Sequence, residues 1–208
     1  MWTHTRESQE NMTPDMALTY LKEGNLRFLQ NLKLSRNLLK QVNLTSDGQF
    51  PFAAVLSCID SRTSAELIFD QGLGDIFSIR IAGNILNEDI LGSIEYACKI
   101  AHSKLVLVLG HTKCGAVISA CDALKIGHFT GLLRKLTPAI EMEKKLNSGL
   151  PVCDNRFINK VSARNVELTI QEIRKKSTIL TELETKGEIA IAGGLYDIET
   201  GEVKFFED

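Results

Sequence analysis

Apolar residues in this chain gather in short unbroken runs, separated by longer stretches in which they recur at helical spacing. The runs FAAVLS, DIFSIRIAG, KLVLVLG and EIAIAGGLYDI are of strand length. An unbroken apolar run of that length predicts a strand covered on both faces. Between them lie predicted helices. Ser64 to Phe69 forms a short one, which Gly72 and Gly74 break before the second strand. Asn87 caps another, with Glu88 and Asp89 in its first turn, running to about His102. After the third strand come CGAVISACDALKIG, a segment over about 130–147 interrupted at Pro138, and a long segment over about 155–176. EVKFFE follows the turn residues ETG as a returning strand. Strands alternating with helices predict an α/β fold, a mostly parallel central sheet flanked by helices with an antiparallel strand near the C-terminus.

The amino end reads differently. Residues 1–12 show no periodicity and are expected to be a flexible tail. From Thr13 the signals change to those of a helix start, with Thr13 as N-cap, Pro14 at the first helical position and Asp15 at the positive end of the dipole. A helical arm over 13–33 follows. Its apolar positions, Met16, Leu18, Leu21, Leu26, Phe28, Leu29 and Leu32, do not share one narrow stripe, and Gly24 with Asn25 marks a weak point or break. Two placements fit this pattern equally, an arm packed on another surface and a helix docked on its own domain.

At 208 residues and 44% hydrophobic, the chain suits one domain over 1–208. Net charge is -2 with both signs interspersed, which argues against nucleic acid or an anionic membrane as partner and for a small ligand. The opening MWTHTRESQENMTPD lacks a signal-peptide pattern, and no apolar run reaches the roughly 18 residues of a membrane span, so the expected location is cytoplasmic. Five cysteines, an odd number without an export signal, point to thiols and metal ligands rather than a disulfide framework.

In a doubly wound sheet the ligand crevice lies at the carboxyl ends of the strands, between the first and third. Cys58 ends the first predicted strand and His111 the third, with Cys114 one turn further on. Cysteine thiolate and imidazole are zinc ligands, and a site with three protein donors keeps its fourth position open for chemistry. Nothing in the spacing selects a fourth donor. Cys98 and Cys121 lie on apolar helical faces as core thiols, Cys153 sits in a linker, His102 and His128 are at segment ends, and His4 is in the tail. Asp60 follows Cys58 by two residues, within reach of the open position. Arg62 can hold it through a bidentate pair. So held, Asp60 can orient a zinc-bound hydroxide; released, it can ligate zinc itself and close the site, which would make activity rise steeply with pH.

These residues resemble the beta class of carbonic anhydrases. CIDSR is similar to that family's Cys-x-Asp-x-Arg signature and HTKCG to its His-x-x-Cys-Gly signature, and the likeness extends from LKEGNLRF through FSIRIAGN and SIEYA to GGLYDIETG. The resemblance implies zinc held by Cys58, His111 and Cys114, and a catalytic dyad of Asp60 and Arg62. It further implies substrate contacts from Gln49, a pocket lined by Phe77 and Tyr96 near a partner subunit, and a helix started close to the metal by Gly115. A homodimer with embracing amino-terminal helices is also implied. Three positions depart from common members. Val55 stands where a regulatory bicarbonate site has tryptophan, although Arg80 and Tyr196 match its other residues. Ile81, Ala82 and Gly83 replace Asn-Val-Ala, and Ile100 replaces a shuttle histidine.

The expected reaction is reversible hydration of carbon dioxide to bicarbonate and a proton, by attack of zinc-bound hydroxide. Two other readings use the same centre, hydrolysis of carbonyl sulfide or carbon disulfide and a non-catalytic zinc-stabilised domain. The presence of Asp60, Arg62 and Gln49 argues against the second.

Overall fold

The computed structural model describes residues 3–146, 149–152 and 154–207, so Cys153 lies outside the described residues. Three helices, α1 (Arg6–Glu10), α2 (Pro14–Leu29) and α3 (Leu38–Leu44), precede β1 (Ala53–Ser57). Next come α4 (Ala65–Ile68), β2 (Ile76–Arg80) and α5 (Glu88–Glu95), which ends in a π-helical turn over Tyr96–Ile100. After β3 (Leu105–His111) the chain is helical through α6 (Gly115–Cys121), α7 (Phe129–Leu133), α8 (Thr137–Leu146), α9 (Asn155–Lys176) and α10 (Thr178–Thr185). It closes with β4 (Ala190–Tyr196) and β5 (Val203–Phe205).

The sheet order is β2-β1-β3-β4-β5. Strands β2, β1, β3 and β4 run parallel, and β5 is antiparallel to β4. The order reverses at β1, because the chain goes outward to β2 at one edge and then returns to β3 on the other side of β1. That reversal opens a crevice beyond the carboxyl ends of β1 and β3. Every residue of β1 and β3 is buried, which is why both read as continuous rather than alternating apolar runs. One face, through Ala53, Val55, Leu105 and Leu107, packs on Leu21 of α2 and Ile68 of α4. The other, through Leu56, Val106, Val108 and Ile191, packs on Val166, Ile170 and Ile173 of α9.

The amino end departs from expectation in two ways. Residues 3–12 are docked rather than free. Thr5 caps α1, and Gln9 donates from Nε2 to the carbonyls of Pro51 (2.8 Å) and Ala101 (2.9 Å), while Met12 is buried. His4, packed on Phe52 and Tyr20, anchors this segment together with Gln9 and Met12, too few residues to leave a periodic signal. Helix α2 starts as predicted, with Thr13 accepting from the Met16 amide, but it runs unbroken through Gly24 and Asn25. Those two residues are buried against the chain's own α4 and β5 region. Gly24 permits the backbone of α2 to pass the Phe69 carbonyl, since a Cβ there would stand 1.8 Å from its oxygen. Asn25 turns inward, donating to the carbonyls of Ile68 (3.3 Å) and Gly201 (2.9 Å) and accepting from the Val203 amide (2.9 Å). One face of the helix, with Leu21, Gly24 and Asn25, docks on the chain's own sheet and α4, while Met16, Leu26 and Leu29 face outward.

Candidate metal centre

The carboxyl ends of β1 and β3 place three donors together. The Sγ atoms of Cys58 and Cys114 and a ring nitrogen of His111 all lie within 4.8 Å of one another, and all three residues are buried. His111 continues β3 and stands opposite Tyr196 in the β3–β4 register. Its Nδ1 lies 2.9 Å from the Thr112 carbonyl, so the proton belongs on Nδ1 and the lone pair on Nε2. That Nε2 is buried without a hydrogen-bond partner among the described residues. A buried orphan nitrogen is costly unless something occupies the space in front of it.

The donor set fits zinc. Two sulfurs each about 2.3 Å from one tetrahedral ion stand about 3.8 Å apart; Cys58 and Cys114 are 4.0 Å apart. A proton shared between these thiols, offered by Cys114, pulls Cys58 down to about 4, helped by His111 and opposed by burial. The same sharing, with burial, pushes Cys114 up. One sulfur of the pair is therefore poised as thiolate. Cys98 and Cys121 stand apart from this arrangement. Burial pushes their thiols up to about 12 and about 11, which keeps both protonated. Among the described residues no fourth Cys, His, Asp or Glu joins the cluster.

Asp60 and Arg62 form the pair that their spacing predicts. Asp60 Oδ1 accepts from the Arg62 amide (3.0 Å) and Nε (2.9 Å), and Oδ2 accepts from Nη2 (2.7 Å). The guanidinium holds the Asp60 carboxyl down to about 2 against the effect of burial. Oδ2 lies 3.9 Å from His111 Nε2, so the carboxylate faces the donor cluster from the position of its pairing with Arg62. Thr63 closes the turn, its hydroxyl donating to the carbonyls of Cys58 and Asp60.

The remaining predicted site residues are more dispersed. Phe77 and Tyr96 meet edge to face, with centroids 6.1 Å apart and an interplanar angle of 70°. Phe77 stands opposite Ala54 on the edge strand β2, three residues before the level of Ser57, and Tyr96 is half exposed. Gln49 is exposed in the approach to β1. Gly115 opens α6, and a Cβ there would meet nothing within 4 Å, so the fold itself does not demand glycine. Arg80, matched above to a regulatory site, instead grips the Cys58 loop, with Nε on the Cys58 carbonyl (3.0 Å) and Nη2 on that of Asp60 (2.6 Å). Gly83 is an addition that sequence reasoning missed: its amide donates to Cys58 Sγ at 3.2 Å. The only cue in the sequence was a glycine just after a strand; in the structure it takes up the left-handed turn such a glycine permits, φ 68°.

A doubly wound α/β sheet with a buried Cys-His-Cys set at its switch point, and a carboxylate beside it, defines an open-site zinc protein. Comparison with known proteins narrows this. The family model described as carbonic anhydrase matches residues 53–203. A carbonic anhydrase of Mycolicibacterium smegmatis is 37% identical over 201 residues, covering 93% of this chain and 94% of that protein. Carbonic anhydrase 2 of Mycobacterium tuberculosis is 35% identical over 198 residues, covering 92% of each. Among solved structures, the beta-carbonic anhydrase CcaA matches with a TM-score of 0.74 and 25% identity over 91% of this chain and 95% of that one. The Coccomyxa beta-carbonic anhydrase matches with a TM-score of 0.72 and 22% identity over 91% and 86%. The chain belongs to the carbonic anhydrase family, in its beta class. It is a zinc enzyme, a carbonate dehydratase, and its reaction is the hydration of carbon dioxide. No helix among the described residues is long and apolar enough to cross a membrane.

Proposed function

We propose that Cys58, His111 and Cys114 hold the zinc and that Asp60, fixed by Arg62, directs the attack on carbon dioxide. The observation that carries this is the convergence of three donor atoms within 4.8 Å, with Asp60 Oδ2 facing them 3.9 Å from His111 Nε2. When bound, zinc makes hydroxide available as a nucleophile near neutral pH. The chain does the rest. Oδ2 of Asp60 accepts the nucleophile's O–H and so aims an oxygen lone pair at the substrate carbon. Arg62 engages both carboxylate oxygens, which holds Asp60 away from the fourth metal position and fixes its angle. Gln49 supplies an amide hydrogen bond to a substrate oxygen, and Phe77 with Tyr96 gives the carbon dioxide an apolar wall.

Those last residues need a cover. Gln49 is exposed and Tyr96 half exposed; Leu67 of α4, Leu73 just before β2 and Ile100 in the turn with Tyr96 are also exposed, and β2 is an edge strand. An exposed apolar edge strand is normally covered. A homodimer meeting along this edge closes the pocket, and two beta-carbonic anhydrases of Sordaria macrospora are tetrameric. We assign the protein to the cytoplasm, in keeping with the free thiols Cys58, Cys98, Cys114 and Cys121.

The test is stopped-flow carbon dioxide hydration with a pH indicator above pH 8, on zinc-loaded protein with and without chelator. The expected result is fast hydration that the chelator abolishes. Asp60→Asn should keep its zinc and lose about 10- to 100-fold in rate. Unchanged hydration by that variant would remove Asp60 from the mechanism.

A further inference from the structure

The three donors are not held alike. His111 belongs to β3, and the sheet fixes it: its neighbour Thr112 donates its amide to Tyr196 (2.9 Å) and accepts from the Ile198 amide at its hydroxyl (3.1 Å). The two cysteines sit on loops beyond strand ends. A loop position has no ladder to set it, so some other element must.

That element is α9. It lies against β3 and β4, and its approach is close because β3 has Gly110 where a Cβ would stand 2.7 Å from Val166 Cγ2 and 3.3 Å from the Ser162 carbonyl oxygen. Two of its side chains reach the loops. Asn165 is buried and donates from Nδ2 to the carbonyl of Gly83 at 2.9 Å. The amide of that same Gly83 donates to Cys58 Sγ at 3.2 Å. Gly83 is in the left-handed region, φ 68° and ψ 17°, where a glycine has wide freedom, so its two peptide planes need anchors. Asn165 fixes one plane and Cys58 meets the other. On the second loop, Asn159 accepts from the Lys113 amide at 2.9 Å. Lys113 precedes Cys114 and also has positive φ, 52°, an uncommon state for a side-chain-bearing residue. The two asparagines are six residues apart, about 9 Å along the helix.

We propose that Asn165 and Asn159 are positioning residues for the zinc site, Asn165 setting the Cys58 sulfur through the Gly83 amide and Asn159 setting Cys114 through the Lys113 amide. The inference rests on Cys58, His111 and Cys114 being the zinc donors. It gives α9 a role besides covering the sheet: one helix sets the separation of the two sulfurs.

The experiment uses full-length protein loaded with zinc or cobalt. Zinc release to a chromophoric chelator gives a rate, and the sulfur-to-cobalt charge-transfer band reports ligand geometry. Stoichiometric zinc and a charge-transfer band in the unaltered protein test the donor assignment first; their absence would overturn that assignment, and this proposal with it. Given both, Asn165→Leu should release zinc about 10- to 100-fold faster and shift the cobalt band. Asn159→Ala, at a half-buried site that tolerates truncation, should do the same through Cys114 even if the first variant folds poorly. Ser162→Ala is the control. Its hydroxyl bonds only to the Ile158 carbonyl within α9 and is equally buried, so it should leave rate and band unchanged. An asparagine variant with native release and native band is excluded from the role, and both so behaving overturns the proposal. An equal effect from Ser162→Ala does likewise, since it would show general loosening of the helix.

Discussion

Cys58→Ala is expected to leave the purified protein with no bound zinc and no carbon dioxide hydration above the buffer rate. Cys58 is one of the three proposed donors, and among the described residues no other Cys, His, Asp or Glu joins the cluster to replace it. With the sulfur gone, the Gly83 amide loses its acceptor, and His111 Nε2 and Cys114 remain as a two-donor site. Two protein donors leave zinc with half its tetrahedral shell unfilled, and structural or catalytic sites use three or four. Metal content by atomic spectroscopy and the hydration rate check this together. The informative controls are Cys98→Ala and Cys121→Ala. Both thiols are pushed up by burial and stay protonated, so both variants should keep about one zinc per chain and the full rate. Stoichiometric zinc in Cys58→Ala, or its loss in either control, would mean that the donors have been misassigned.

The proposed donors were readable in the sequence because Cys58 and His111 close unmistakable strands and Cys114 follows His111 by one turn. FAAVLS and KLVLVLG are buried on both faces, so they had to be central, and central parallel strands deliver their carboxyl ends to one crevice. Asp60 and Arg62 were readable for a second reason, that a pair two residues apart on one turn needs no tertiary information. What could not be read is what crosses the fold. Asn165 meets Gly83 across 82 positions and Gln9 meets Ala101 across 92, each through a single hydrogen bond that leaves no periodic trace. Only a faint cue existed for Asn165. It is a polar residue in the buried stripe of α9, between Val161 and Thr169, and a buried amide must have found a partner. Gln49, Phe77 and Tyr96 show the opposite case. The family resemblance supplied them, yet one chain leaves Gln49 exposed and Tyr96 half exposed, so the fold of a single chain does not bring them into one enclosed pocket.

Gly24→Ala should lower the thermal unfolding midpoint by about 4–12 °C, although it improves helix propensity. The two effects have opposite signs, and their sizes decide. In an exposed helix, replacing glycine by alanine stabilises by about 1 kcal/mol. Here the new methyl would lie 1.8 Å from the Phe69 carbonyl oxygen and 2.6 Å from its carbon, both backbone atoms that no rotamer change can move. Ordinary contact needs 3.4–4 Å, so α2 must retreat from α4 by well over an ångström. Overpacking of this kind costs about 1–3 kcal/mol and sometimes more, and contact with backbone belongs at the upper end. Retreat also stretches the three hydrogen bonds of Asn25 and the 2.6 Å contact of Arg27 Nε with Asp70, which dock the same helix. A net loss of about 2–3 kcal/mol at roughly 2–4 °C per kcal/mol gives the stated range. Asn25→Ala, which strands the Val203 amide and two carbonyls, should lose about 1–3 kcal/mol by a different route. The pair will not add, because both act on one contact. Thermal scans of the two single variants and the double variant measure this. A midpoint unchanged or raised in Gly24→Ala would place α2 away from α4 in solution, as an arm laid on a second copy of the chain.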